Sequence, residues 1–267
     1  MGVSFLINRQ DEYSKTDMLK SIVSAIVVFG IIVYATHKNV FVSFEATKSL
    51  VFAYIMGCFW IGFCNTVSVW SQESKHILPR IKTRLFSVNT YLTSVYISQT
   101  IVCFLQAIVA TLIFAYFNYE RSGLIFTYSN MDLFITFWLV IQAAMALGLF
   151  VGLLVKDIKG AMIVLPVVLI AQMLFSKAIF EIEGCMESVS AYIVAKFGVS
   201  AVGSILNINS YPMSLKIKYP IIEQVSNSLF EFSQGYVLEC WIHLLILTMI
   251  PMLLSYAVLT FKAYRKR

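Results

Sequence analysis

Few residues of this chain could make or break bonds, and they do not come in sets. His243 is the one ionisable side chain well inside an apolar stretch, where such a group is a functional candidate by default. As a lone group it reads as a hydrogen-bonded packing residue rather than a ligand or proton carrier. The other polar groups within apolar stretches (Asn65, Gln106, Gln142, Gln172 and Ser176) are neutral. Cys58, Cys64, Cys103, Cys185 and Cys240 show no C-x-x-C spacing and share no cluster with the histidines, which argues against a metal or redox site. A disulfide between Cys185 and Cys240 stays open, since both could face an oxidising compartment. The stretches hold no nucleophile–base pair of the kind an intramembrane enzyme needs. No G-x-x-x-x-G-K-[ST] phosphate loop occurs either.

Charge, by contrast, is concentrated in one place. The apolar run YIMGCFWIGFCNTVSVW leads into SQESKHILPRIKTRLFSVNTY, whose last tyrosine, Tyr91, opens another apolar run. Glu73, Lys75, Arg80, Lys82 and Arg84 alternate there with Ile77, Leu78, Ile81 and Leu85. Pro79 cannot sit deep in a helix, so a short amphipathic helix should end or restart near it. A span, a basic elbow and a second span could take a mechanical push from a cytoplasmic partner. An ordinary positively charged loop has the same composition.

The elements that must carry these residues are membrane spans. The chain has 267 residues, 59% of them hydrophobic and only 13% charged, about half the roughly 25% of a soluble domain. A mean hydropathy of +0.81 agrees. A crossing helix needs about 20 mostly apolar residues, and six stretches qualify: Leu19–Ala35, Leu50–Trp70, Tyr91–Phe117, Leu133–Val155, Ala161–Phe180 and Tyr236–Phe261. A seventh, Ser188–Asn207, is interrupted by Lys196, Gly198 and Gly203, and reads as a re-entrant or surface-lying pair of short helices. With both termini in the cytoplasm, thirteen of the twenty Lys and Arg fall on the inner side, as the positive-inside rule requires. The expected fold is therefore a single all-α integral membrane domain over residues 1–267.

The first 18 residues mix Asp11, Glu12 and Asp17 with Arg9 and Lys15, unlike a cleavable signal. The absence of N-x-S/T sequons points to a bacterial cytoplasmic membrane. The net charge of +6 suits anionic lipids or an acidic partner surface. Nothing in it suits nucleic acid, because no basic patch is interleaved with aromatics. Ala144, Gly148 and Gly152 form a small-x-x-x-small stripe that lets helices approach closely; packing against another span of the same chain outweighs a dimer seam. Aromatics such as Tyr54, Phe59, Trp60, Phe175 and Phe180 could stack on an amphipathic substrate, although interfacial anchoring is the commoner use.

Taken together, Glu73, the elbow and Tyr91 resemble the membrane subunit of a type-2 ABC exporter of the ABCG-like branch. There a span ends in an acidic residue, a coupling helix follows and a tyrosine opens the next span. Similar too is GLFVGLLVKDIKGAMIVLPVVLIAQMLFSKAIF, through Gly148, Ala161, Pro166 and the Phe175-Ser176 pair. EIEGCMESVSAYIVAKFGVSAVGSILNIN resembles the family's extracellular re-entrant segment. These stretches cover most of Phe59–Asn209. Two departures stand out. Arg80 occupies the place of a second acidic residue in the coupling segment, and Lys177 follows the Phe-Ser pair where many relatives have glycine.

The resemblance implies a dimer of permeases around a central cavity, with a second copy or a homologous permease as partner. Two ATPase subunits would bind ATP and magnesium on the cytoplasmic side, and this chain would hold no cofactor. It places Tyr54, Cys58, Ile61 and Asn65 on one cavity-lining helix face, with Pro166, Ile170 and Met173 on the facing span. Ala178 and Ile179, next to Lys177, match an apolar outer gate. Glu73, Lys75, Arg80 and Tyr91 belong to the ATPase-coupling region. Lys177 is expected to snorkel to lipid or to pair with Glu181 or Glu183; attraction of an anionic cargo group is the less favoured option. The cargo suited to such a cavity is amphipathic or hydrophobic: a lipid, a peptide or a drug-like molecule. A non-transporting membrane sensor or scaffold, or a small intramembrane enzyme, remains an alternative at this level.

The topology is directly testable. Cysteines introduced at Ser188 and at Asn207 should both be labelled by an impermeant thiol reagent from the outer side. Labelling from opposite sides would make the segment a span and would place the C-terminus outside.

Overall fold

A computed structural model describes residues 15–36, 44–67, 77–81, 83, 87–122, 129–155, 158–180, 184–210 and 228–264. Every regular element among them is helical: α1 (Lys15–Thr36), α2 (Phe44–Val67), α3 (77–81), α4 (Val88–Ser122), α5 (Asn130–Leu154), α6 (Ile158–Leu174), α7 (Cys185–Ser190), α8 (Val194–Ile205) and α9 (Gln234–Tyr264). Only helices and closed barrels satisfy backbone polar groups inside a bilayer, so long apolar runs of this kind adopt the helical solution. Five helices, α1, α2, α4, α5 and α9, are long and apolar enough to cross a membrane.

α6 is shorter than the Ala161–Phe180 span the sequence suggests. It ends at Leu174, and residues 175–180 turn away from the helix. The cause is local. The Ser176 hydroxyl donates to the Met173 carbonyl (2.9 Å) and accepts from the Ala178 amide (3.3 Å). Lys177 then takes a left-handed backbone conformation (φ 57°), the conformation that commonly terminates helices.

α5 is the centre of the bundle, flanked by α2, α4, α8 and α9. Its closest neighbour is α2, and glycines set the approach. A Cβ on Gly148 would stand 2.5 Å from the Phe63 carbonyl oxygen and 2.6 Å from Thr66 Oγ1. One on Gly152 would stand 2.5 Å from the Val67 carbonyl oxygen, and one on Gly62 would overlap the Ile141 carbonyl. The Thr66 hydroxyl donates to the Met145 carbonyl across the same contact (2.7 Å). The small-residue stripe is thus an intrachain seam. Contacts rise in step along both helices, so α2 and α5 are parallel. α4 is antiparallel to α5: Phe104 meets Phe134 and Trp138, whereas Thr100 accepts a hydrogen bond from Gln142 (2.7 Å). α9 is parallel to α5, held at one end by Trp241 Nε1 donating to Thr136 (2.9 Å) and at the other by Lys262 donating to the Leu153 carbonyl.

The segment Ser188–Asn207 contains α7 and α8, broken at 191–193, and neither is long enough to cross. A Cβ on Gly198 of α8 would meet Ile55 and Val140, about 15–17 Å along α2 and α5 at 1.5 Å per residue. α8 therefore packs near the middle of the length of α2 and α5. Its first turn lacks a side-chain cap from its own N-cap residue, Ile193. Instead Gln172 of α6 accepts from the Ala195 amide (3.0 Å), satisfying one of the orphan donors at the helix start. Gly203 lies against the buried Phe230 ring, and the Ser204 hydroxyl donates to the Glu231 carbonyl (2.5 Å). Cys240 is a buried free thiol; the side chain of Cys185 lies outside the described residues.

The seam makes a quantitative prediction. Gly148→Ala forces a methyl into backbone, and overpacking of this kind costs about 1–3 kcal/mol. Its thermal unfolding midpoint in detergent should fall clearly. Gly30→Ala, whose Cβ would meet nothing within 4 Å, should leave the midpoint unchanged or raise it.

Candidate functional site

The face of α2 assigned to a substrate cavity turns inward instead. Tyr54, Cys58 and Ile61 are buried within the protomer. The Tyr54 ring stacks on Phe29 of α1 (4.7 Å) and meets Phe114 and Phe137 at 5.1 Å each. Its hydroxyl donates to the Ala110 carbonyl (2.5 Å). Asn65 is consumed in a closed ring: Gln106 Nε2 donates to Ser21 Oγ (2.7 Å), Ser21 Oγ donates to Asn65 Oδ1 (3.0 Å), and Asn65 Nδ2 donates to Gln106 Oε1 (2.8 Å). These four residues do share a face, as their spacing implies. That face clamps α1 and α4 to α2. The outward stripe of α2 is Met56, Trp60 and Cys64, with Trp60 exposed.

Pro166, Ile170 and Met173 behave differently. With Ile163, Val167 and Leu174 they form an exposed stripe on α6, while Ala161, Leu165 and Gln172 face the bundle. α6 touches its neighbours only sparingly along that inner strip. The two proposed gate residues separate: Ala178 is buried and Ile179 is exposed, so they do not form one apolar surface.

At the elbow, Glu73 and Lys75 lie outside the described residues. α3 is built as an amphipathic turn in which Ile77 and Ile81 join the main hydrophobic core and Arg80 is exposed. Pro79 lies within α3, exposed beside Arg80; the residues that precede 77 lie outside the described residues. Tyr91 is fully buried at the base of α4. Its ring therefore presents no exposed surface in the protomer. His243, likewise, stacks on Phe197 of α8 (4.5 Å, 10° between planes) and its Nδ1 lies 2.9 Å from the Glu239 carbonyl.

Lys177 pairs with Glu187 of α7 at 2.5 Å, a partner ten residues on that the sequence reading overlooked in favour of Glu181 and Glu183, which lie outside the described residues. Loop geometry, rather than spacing, brings the two together. The hydrogen bond and charge of Lys177 hold the Glu187 carboxyl below its ordinary value. A non-glycine residue at such a positive φ costs about 1 kcal/mol, and at Lys177 an ion pair accompanies the strain.

A two-part test follows. Since the folded-state value of Glu187 is depressed, the pair contributes stability above the ordinary glutamate value of about 4.3 and loses it as pH falls through the lowered value. Glu187→Gln should lower the unfolding midpoint at pH 7 and make no difference well below that range. With the pair already removed by Glu187→Gln, adding Lys177→Gly should raise the midpoint. A fall would show that the backbone at 177 is unstrained.

No curated protein matches the chain. The model of one family, described as "ABC-2 type transporter", matches residues 4–193, more than two thirds of the sequence, and covers α1 to α7. Permeases of this family generally pair with an ABC ATPase subunit. The chain belongs to the ABC-2 type transporter family and is a multi-pass membrane permease subunit.

Proposed function

We propose that the chain is the permease of an ATP-driven exporter of the ABCG-like branch, working as a pair of copies driven by two ATPase subunits that bind ATP and magnesium. The observation that carries this reading is the α6 stripe. Ile163, Pro166, Val167, Ile170, Met173 and Leu174 face away from a bundle to which α6 is only thinly attached, so α6 has a face open to a second wall. A second copy supplies one, and the space between the two stripes, bordered by Trp60 of α2, is the transport path. An apolar path of this kind suits amphipathic or hydrophobic cargo.

The elbow fits the coupling role. Arg80 and the neighbouring Glu73 and Lys75 offer charge to a cytoplasmic partner, while Ile77 and Ile81 anchor α3 in the core. A push on α3 therefore moves the bundle instead of deforming a loop. The parallel α5 and α9, with α6 between them, support an even number of crossings, and the excess of Lys and Arg in the loops assigned to the inner side supports cytoplasmic termini.

The test is reconstitution with the ABC ATPase subunit in proteoliposomes and measurement of ATP-dependent movement of an amphipathic dye. Glu73→Lys or deletion of 77–81 should abolish transport and uncouple ATP hydrolysis while membrane insertion persists. In a background without native cysteines, Ile170→Cys should form a cross-linked dimer on oxidation. Unchanged transport in both elbow variants would remove the elbow from coupling, and absence of any Ile170 or Met173 cross-link would remove α6 from a dimer interface.

A further inference from the structure

A cavity lies away from the α6 stripe. The N-terminal ends of α5 and α9 and the C-terminal end of α8 enclose about 550 Å³, the size range of small-molecule sites. Its polar wall includes Ser129, Asp132, Ser204 and Gln234, and its aromatic wall is Phe232 and Trp241. Among the described lining residues Asp132 carries the only formal charge, in a chain whose net charge is +6.

Two hydrogen bonds tie the indole to the main chain at Asp132. Trp241 Nε1 donates to Thr136 Oγ1 (2.9 Å), and Thr136 Oγ1 donates to the Asp132 carbonyl (2.8 Å). The indole is thereby held one turn of α5 from Asp132, and its single polar atom is spent. What it offers the cavity is π surface. Ser129 caps α5 by accepting from the Asp132 amide (3.3 Å), so a donor that could otherwise recruit an anion is engaged.

A carboxylate beside aromatic surface is the pattern that recognises organic cations. A metal ion would need more ligands, and no group of three His, Cys, Asp or Glu residues that could hold one occurs among the described residues. An anion would face Asp132 with no described basic side chain in the wall. The apolar part of the lining, Val237 and Leu238 among it, continues onto the lipid-facing side of α9, where Leu238, Ile242 and Leu245 are exposed. A guest with an alkyl tail can leave that tail among lipids.

We propose that this cavity binds cationic amphiphiles, with the ammonium group held between Asp132 and Trp241 and the tail along α9. The site has all of its described lining within one protomer. It needs neither ATPase nor dimer, so it stands apart from the transport reading.

The experiment is calorimetric titration of the full-length chain, in non-ionic maltoside micelles, with dodecyltrimethylammonium. Dodecyl sulfate and dodecylphosphocholine serve as anionic and zwitterionic controls of equal tail length. Saturable binding of the cation is expected, at least tenfold tighter than either control. Asp132→Asn should weaken it by about tenfold and Trp241→Phe by severalfold, the scale of a partly desolvated cation–π or ion-pair contact. Asp132→Glu should retain binding. Because a loss in Asp132→Asn could reflect misfolding, Gln234→Glu provides a gain: a second carboxylate on the rim should tighten cation binding severalfold. Equal affinity for all three amphiphiles, preference for the sulfate, binding of the phosphocholine as tight as the cation, or no response to Gln234→Glu would each overturn the proposal.

Discussion

The approach of α2 to α5 is the constraint on which the remaining structure depends. Gly62, Gly148 and Gly152 bring backbone against backbone, and no hydrophobic driving force separates protein from lipid in a bilayer core, so close packing must supply the association. Once that seam is set, the rotation of α2 is set with it. Tyr54 and Asn65 then meet α1 and α4, with the Tyr54 ring also against Phe137 of α5. The polar ring of Ser21, Asn65 and Gln106 and the aromatic cluster around Tyr54 are consequences of that rotation, and they fix α1, whose own outer face is largely exposed.

This explains what was legible in the sequence and what was not. The long helices could be read from hydropathy because lipid demands internally bonded backbone. The intrachain role of Ala144, Gly148 and Gly152 could be weighed because only small residues permit such contact. Which side of α2 lines a path could not be read in the same way. Lipid, protein core and an apolar cavity accept the same side chains, so periodicity grouped Tyr54, Cys58, Ile61 and Asn65 correctly but had no means of saying what they face. On α6 the same logic gave Pro166, Ile170 and Met173, and there the grouped residues do lie outward. The difference is that α6 has no tight seam to turn it inward.

Contacts set by turns escaped the sequence for another reason. The Lys177–Glu187 pair and the Gln172–Ala195 cap span ten and 23 positions, with a reversal of the chain between them. Neither has a helical or strand period to betray it. The departure from glycine at Lys177 was visible as an oddity, yet its meaning required the backbone angle. With φ at 57°, the residue sits where glycine is the unstrained choice.

These turn contacts give α6 its mechanical character. Along its length the helix is thinly held, but at its far end Gln172 caps α8, and Lys177 just beyond grips α7. α8 is in turn buried against α2, α5 and α9. A displacement of α6 is therefore resisted least along its outward stripe and most at the end where the chain turns back. A helix hinged at one end, with a free apolar face and a proline at its centre, can tilt without breaking the α2–α5 seam. The few polar contacts that hold α6 lie at one end of the bundle, where α8 packs into its centre.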